Sequence, residues 1–345
     1  RAVDLDCYLG RLGEHDLASG LVCDGSPFSV RDFGRTAGVT LGTSGRWAGD
    51  ADAENPESAA SQGARGPRRT GVTGTAEVLG ALWGMPVEAG EVESRLLCSS
   101  VEQYSPELLD SLFASGEFVW FRAGPFVRLP AAKLPICIAP QPDAPTWFAI
   151  WQGSYISRDS RWEPRLSGAA QDLLDLLVAK GPRRLTDLEH ELSLPWAWVE
   201  SALLEALSAG MLSADGYWLV RWALGGRKRQ RGAPRFAGRV WATVAELGDP
   251  SHSVPPERAC LVAARALLRR WGVVWRGLPA VERLPLPWAN LREAFFKLEA
   301  LGEAVWGRFI RGLSGDQFGD PDFVATLVKA DGPSLGFGPL RVTHA

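Results

Sequence analysis

The stretch GAAQDLLDLLVAKG (Gly168–Gly181), followed by LTDLEHEL (Leu185–Leu192) and PWAWVESALLEALSAG (Pro195–Gly210), decides the fold. In the first piece Leu173, Leu174, Leu177 and Val178 recur at helical spacing on one face, and Gly181 stands where such a helix stops. The second piece is a short helix. The third piece makes a third helix. Met211–Leu212 and Tyr217–Arg221 then predict a hairpin across Ser213–Gly216. Three helices and a two-stranded ribbon describe a winged helix, whose third helix ordinarily enters a major groove while the ribbon touches the DNA backbone.

The same order occurs on either side. Upstream, TAEVLGALWGM, AGEVESRLL and SPELLDSLFASGEFVWFRAGPFVRLP give three helices, then strands Phe118–Arg122 and Phe126–Leu129. Downstream, ERACLVAARALLRRWG, LPAVERL and PWANLREAFFKLEALG give three more, then strands Glu303–Trp306 and Arg308–Gly312. Between the first two copies, LPICIAP and TWFAIWQG read as extra strands on the first unit. The expected class is α+β, helix-rich, with tandem winged-helix domains and small β-ribbons or barrel-like strands. The expected divisions are an N-terminal segment and linker (1–70), a winged helix with extra strands (71–160), a winged helix (161–225), a basic linker (226–256), a winged helix with a following helix start (257–330) and a tail (331–345). Residues 34–71 are too poor in large apolar side chains to offset their ordering entropy and read as linker or disorder.

With 345 residues, 46% of them hydrophobic and 22% charged, the chain is of ordinary globular composition. Its five cysteines are isolated, which fits a reducing cytoplasm better than a disulfide scaffold and offers no C-x-x-C zinc pair. No apolar run approaches the ~20 residues a membrane span needs, so no membrane partner is expected. Arg1 in the place of Met reads as a piece of a longer polypeptide or a processed chain. The net charge is −3, but the positive charges are overwhelmingly Arg, whose forked donors suit phosphate. They concentrate in GGRKRQRGAPRFAGR, where Arg227, Lys228, Arg229, Arg231, Arg235 and Arg239 form either a solvated linker or a phosphate-tracking strap.

GTSGR (Gly42–Arg46) lacks the spacing and the lysine of a P-loop, so no ATP-driven motor is expected in this chain. His190–Glu191 lacks the second histidine of a zinc-protease helix. No metal and no cofactor are expected. Trp196, Trp198, Trp241, Trp271, Trp275 and Trp288 mostly fall at core-like spacing, and a tryptophan exposed beside basic residues would stack on an unpaired base.

Particular stretches resemble one family. LLRRWGVV (Leu267–Val274), the Trp288 region, LEALGE (Leu298–Glu303) and GRFIRGLSGDQF (Gly307–Phe318) resemble, in order and spacing, the C-terminal region of bacterial large helicase-related (Lhr) proteins. YSPELLDSLFASGEFVW and ALSAGMLSAD are similar to upstream parts of the same region. The resemblance implies an accessory region of tandem winged helices with a terminal β-barrel, following a superfamily 2 DNA translocase. It further implies DNA repair, self-association, uracil-DNA glycosylase activity and kinship with winged-helix alkylpurine glycosylases.

The favoured expectation is a nucleic-acid-binding accessory region of an Lhr-type repair helicase. Its partners would be single-stranded or damaged DNA, the helicase core where the chain is a fragment, and further copies of itself. The alternatives are a monofunctional uracil-DNA glycosylase and a non-enzymatic oligomerisation module. Phosphate contacts are expected from the six strap residues and from Arg269, Arg270, Arg308 and Arg311. For base excision, Asp316 and Gln317 supply a carboxylate and an amide that could stabilise an oxocarbenium sugar and orient water, while Asp316 could instead cap backbone amides.

Overall fold

The computed structural model describes residues 69–124, 129–156, 166–225, 238–248 and 254–330. Three winged helices follow one another. The first comprises α1 (Gly71–Leu82), β2 (Pro86–Glu88), a helical run α2 through Ala89–Glu91, Val92–Leu97 and Cys98–Ser100 whose middle is a π-helix, α3 (Pro106–Ala114), β4 (Phe118–Arg122) and β5 (Pro135–Pro140). Two short strands, β1 (Arg69–Thr70) and β3 (Val101–Glu102), pair in parallel beside it. The second comprises α5 (Gly168–Lys180), β6 (Arg183–Arg184), α6 (Leu188–Leu192), α7 (Trp196–Ser208), β7 (Leu212–Ala214) and β8 (Arg239–Ala242). The third comprises α10 (Pro256–Trp271), β9 (Val273–Trp275), α11 (Leu278–Val281), α12 (Trp288–Ala300), β10 (Val305–Gly307) and β11 (Gln317–Gly319). Each unit has a three-stranded antiparallel sheet with its last strand in the middle: β2-β5-β4, β6-β8-β7 and β10-β11-β9. Among the described residues no sheet closes into a barrel.

Several ribbons differ from expectation. LPICIAP is β5, the central strand of the first sheet, and Phe126–Val127 lie outside the described residues. TWFAIWQG is helical, within α4 (Ala144–Ile156). Trp147, Phe148, Ile150 and Trp151 are all buried there, and a helix enclosed on every side shows no amphipathic period. Tyr217–Arg221 is not a return strand. It enters α8 (Trp218–Leu224), and the residue just before that helix, Tyr217, donates its backbone N–H to Asp110 of α3 at 2.7 Å. The return strand of the second sheet is β8, inside the stretch expected to be linker, with α9 (Thr243–Leu247) directly after it. In the third unit Arg308–Gly312 is loop, and β11 returns instead.

The first sheet explains how the three units join. The four central residues of β5 are buried, and their side chains alternate between two cores. Ile136 and Ile138, with Phe118 and Trp120 of β4, pack with α1–α3 and the second winged helix. Cys137 and Ala139, with Phe121, pack with α4 and the third. A sheet covered on both faces reads as the continuous apolar run PICIAP. α4 closes on the turn after α1, where Trp151 Nε1 donates to Gly84 O at 2.9 Å. Gly84 has φ +77°, and a Cβ there would fall 2.1 Å from the Trp147 ring, so glycine is required twice over.

Polar contacts tie the same units. Trp120 Nε1 donates to Gly216 O, Ser213 Oγ to Trp120 O, and the buried Tyr217 hydroxyl to Ala89 O. Arg221 of α8 pairs with Glu93 at 2.9 Å and Asp110 at 2.5 Å. Burial pushes the Glu93 carboxyl above its ordinary range, although Tyr104 and Arg221 pull the other way.

Arg270, expected to touch phosphate, is 1% exposed. Its Nε and Nη2 donate to the carbonyls of Ala81 and Trp83 at the C-terminal end of α1, and its Nη1 pairs with buried Glu282. Arg270→Ala should destabilise the chain by about 3–5 kcal/mol, because it strands a buried carboxylate and two helix-end carbonyls. Arg270→Lys should recover only part, since an ammonium lacks the planar fork. Urea unfolding of the three proteins measures both.

Candidate nucleic-acid interface

Four of the expected site residues, Arg308, Arg311, Asp316 and Gln317, lie on the third winged helix. In α12, Leu291, Ala294, Phe295 and Leu298 turn inward, which leaves Arg292, Glu293 and Lys297 exposed. Beyond β10 the chain loops through residues 308–316, where Ile310 and Leu313 are buried while Arg308 and Arg311 are exposed. The alternation of arginine and apolar residues in GRFIRGL thus sorts into an outer and an inner row.

Gln317 sets that loop. It is fully buried; its Oε1 accepts from the amides of Phe309 and Ile310, each at 2.8 Å. Its Nε2 donates to the carbonyls of Ile310 and Leu313. The amide expected to orient water is therefore engaged on both ends with the loop backbone, and it holds the two arginines outward. Behind it, Phe318 stacks on Phe295 with ring centroids 4.9 Å apart.

Asp316, one residue earlier, sits at the surface. Its Oδ2 accepts from Arg292 Nε at 2.5 Å and its Oδ1 from Trp306 Nε1 at 3.0 Å. The Arg292 bond, then the indole bond, with Arg308 nearby, hold its carboxyl below the usual aspartate range. The Arg292 guanidinium lies 4.8 Å over the Phe296 ring, and Phe296 in turn meets Trp306. Trp306 remains 54% exposed. The structure brings together Arg308, Arg311, Asp316 and Gln317 of the expected residues. Arg292, Phe296 and Trp306 were not anticipated, although the period of Leu291, Phe295 and Leu298 places Arg292 off the buried face of α12.

The other expected contacts are dispersed. Arg239 begins β8 and pairs with Asp215 at 3.3 Å, its side chain 60% exposed. Arg269 is exposed on α10, beside Gly80 of α1. Arg270 is the buried strut described above. Arg227, Lys228, Arg229, Arg231 and Arg235 lie outside the described residues. Trp271 and Trp275 are buried as expected, but Trp198 is 61% exposed on α7. Among the described residues no group of three or more His, Cys, Asp or Glu side chains is arranged to hold a metal, and no helix is long and apolar enough to cross a membrane.

Gln317→Ala should lower stability by roughly 2 kcal/mol or more, since it orphans two buried amides and removes the donor to two carbonyls. It should also raise amide exchange across residues 308–313, read by hydrogen–deuterium exchange.

Residues 57–135 and 253–335 match two family models, each described as a winged-helix domain of the large helicase-related protein. An "Lhr helicase/ probable uracil glycosylase" of Mycolicibacterium smegmatis is 27% identical over 271 residues, and an "Lhr helicase/uracil glycosylase" of Escherichia coli is 26% identical over 286. Each alignment covers 72% of this chain and 17% of the relative, so the chain spans about a sixth of their length. The solved DNA glycosylase AlkZ of Streptomyces sahachiroi aligns at 11% identity with a TM-score of 0.44, covering 95% of this chain and 72% of that one. Two segments of this chain, residues 57–135 and 253–335, are thus similar to winged-helix domains of the large helicase-related family.

Proposed function

We propose that the chain is a nucleic-acid-binding accessory region of an Lhr-type DNA repair helicase, working beside a helicase core and holding DNA mainly through its phosphates. The observation that carries this reading is the wing of the third winged helix, where buried Gln317 fixes a loop that turns Arg308 and Arg311 to solvent. The same wing chemistry is what a winged helix ordinarily lays on the DNA backbone. Phosphate contacts release counterions, so the dissociation constant should rise steeply with salt and depend little on sequence. Arg308→Ala should weaken binding to all sequences alike and reduce the salt slope by about one. Fluorescence anisotropy across a salt series measures this. A chain that forms oligomers but binds no DNA would sink the reading in favour of an assembly module.

Base excision is the second reading, favoured by Asp316, a surface carboxylate kept ionised among arginines. Such a group can stabilise the positive sugar that forms as a flipped base departs. On this reading, strand breaks at uracil after alkali would vanish in Asp316→Asn while DNA binding persists. Because the Arg292 and Trp306 bonds hold the carboxyl below its ordinary range, activity should survive as pH falls through the usual aspartate range and be lost only below it. An acid limb above the usual aspartate range would assign the chemistry to another group.

A further inference from the structure

We propose that Trp306 is a base-stacking platform, and that it makes the wing of the third winged helix a reader of unpaired strands rather than of duplex grooves. The proposal rests on the nucleic-acid-binding reading above and narrows its substrate to single-stranded nucleic acid.

The three third helices argue against groove reading. α3 carries Glu107 and Asp110 and no basic residue; α7 carries Glu200 and Glu205 and no basic residue. α12 alone has cations, and both are engaged: Arg292 with Asp316, Lys297 with Glu257. Beside these two ion pairs α12 exposes the acids Glu293 and Glu299 and the neutral amide Asn290. A helix so charged is repelled by the phosphates lining a major groove. α3 is committed further, since Asp110 holds Tyr217 N and Arg221 of the second unit.

The wing has the opposite character. Trp306 presents a ring that is more than half exposed, while its one polar atom is satisfied internally by Asp316. Asp316 is clamped by Arg292, and Arg292 lies over Phe296, which packs against the indole. The indole is therefore fixed at its polar edge and along one side, and its remaining surface is apolar. Arg308 adds a cation close enough to lower the Asp316 carboxyl. An ordered aromatic face bordered by arginines is what a single strand needs: stacking for a base and cations for the flanking phosphates. Asp316 is on this view a positioning residue for the ring.

The test measures anisotropy of the full chain with three labelled DNA probes at one low salt concentration. These are a mixed-sequence single strand, a hairpin duplex, and a single strand of equal length whose bases are replaced by abasic spacers. Trp306→Ala should weaken the base-bearing strand roughly five- to a hundredfold. It should leave the hairpin and the abasic strand within twofold, and Trp306→Phe should retain most of the affinity. Asp316→Ala should move the base-bearing strand in the same direction as Trp306→Ala. An RNA strand of the same sequence identifies which sugar is preferred. A Trp306→Ala chain that binds the base-bearing strand as wild type does, or loses all three probes equally, overturns the platform and leaves phosphate binding standing. A wild-type chain that binds none of them overturns the binding reading itself.

Discussion

The guanidinium of Arg270 is the point on which the arrangement of the three winged helices turns. It reaches from α10 of the third unit into the end of α1 in the first, taking two of the carbonyls that a helix C-terminus leaves without partners. Its third arm meets Glu282, which also accepts from Trp271 Nε1. A buried ion pair is a weak source of net stability, because desolvation offsets most of the attraction. Its effect here is geometric: a planar fork with three designated acceptors fits one docking of α10 on α1 and few others.

Around that strut the apolar packing is shared rather than partitioned. The alternation of β4 and β5 sends neighbouring residues into different cores, so Trp120 belongs with the second winged helix and Phe121 with the third. The surface of the first sheet that an isolated winged helix could leave to solvent is covered by α4. The consequence for function is a division of labour. The sheet of the first unit is covered on both faces, Asp110 of α3 is taken up by contact with Tyr217 and Arg221, and on the proposed reading binding falls to the wing of the third unit.

How much of this the sequence discloses depends on whether a residue's partner is near it in the chain. The helices of all three copies are legible because Leu173, Leu174 and Leu177, or Leu291, Phe295 and Leu298, repeat with the helical period whatever lies opposite. Val178 fits that period too, yet it is 59% exposed, because it lies at the edge of the stripe. The short apolar runs TWFAIWQG and YWLVR carry no period, and their state is set by distant groups such as Asp110 and Gly84. Arg269 and Arg270 show the limit most sharply. One residue apart, they differ by a hundred degrees around α10, and Arg270 shares the stripe of Ala263, Leu267 and Trp271. The wing was legible as to place, with Arg308, Arg311, Asp316 and Gln317 together. The roles were not, since Gln317 bonds to backbone atoms and Asp316 to Trp306 and Arg292, none of which composition reveals.

The double-faced sheet also separates two meanings of the word domain. By pattern the chain is a series of repeats, each a plausible unit for truncation or exchange. By packing it is not, because cutting after β5 would bare the face formed by Cys137, Ala139 and Phe121 and leave Arg270 without its carbonyls. The described residues should therefore lose structure in concert, as a single foldon larger than any repeat. A substitution deep in the first unit would then be felt at the wing of the third, through the shared stability of the whole, without any conformational signal passing between them.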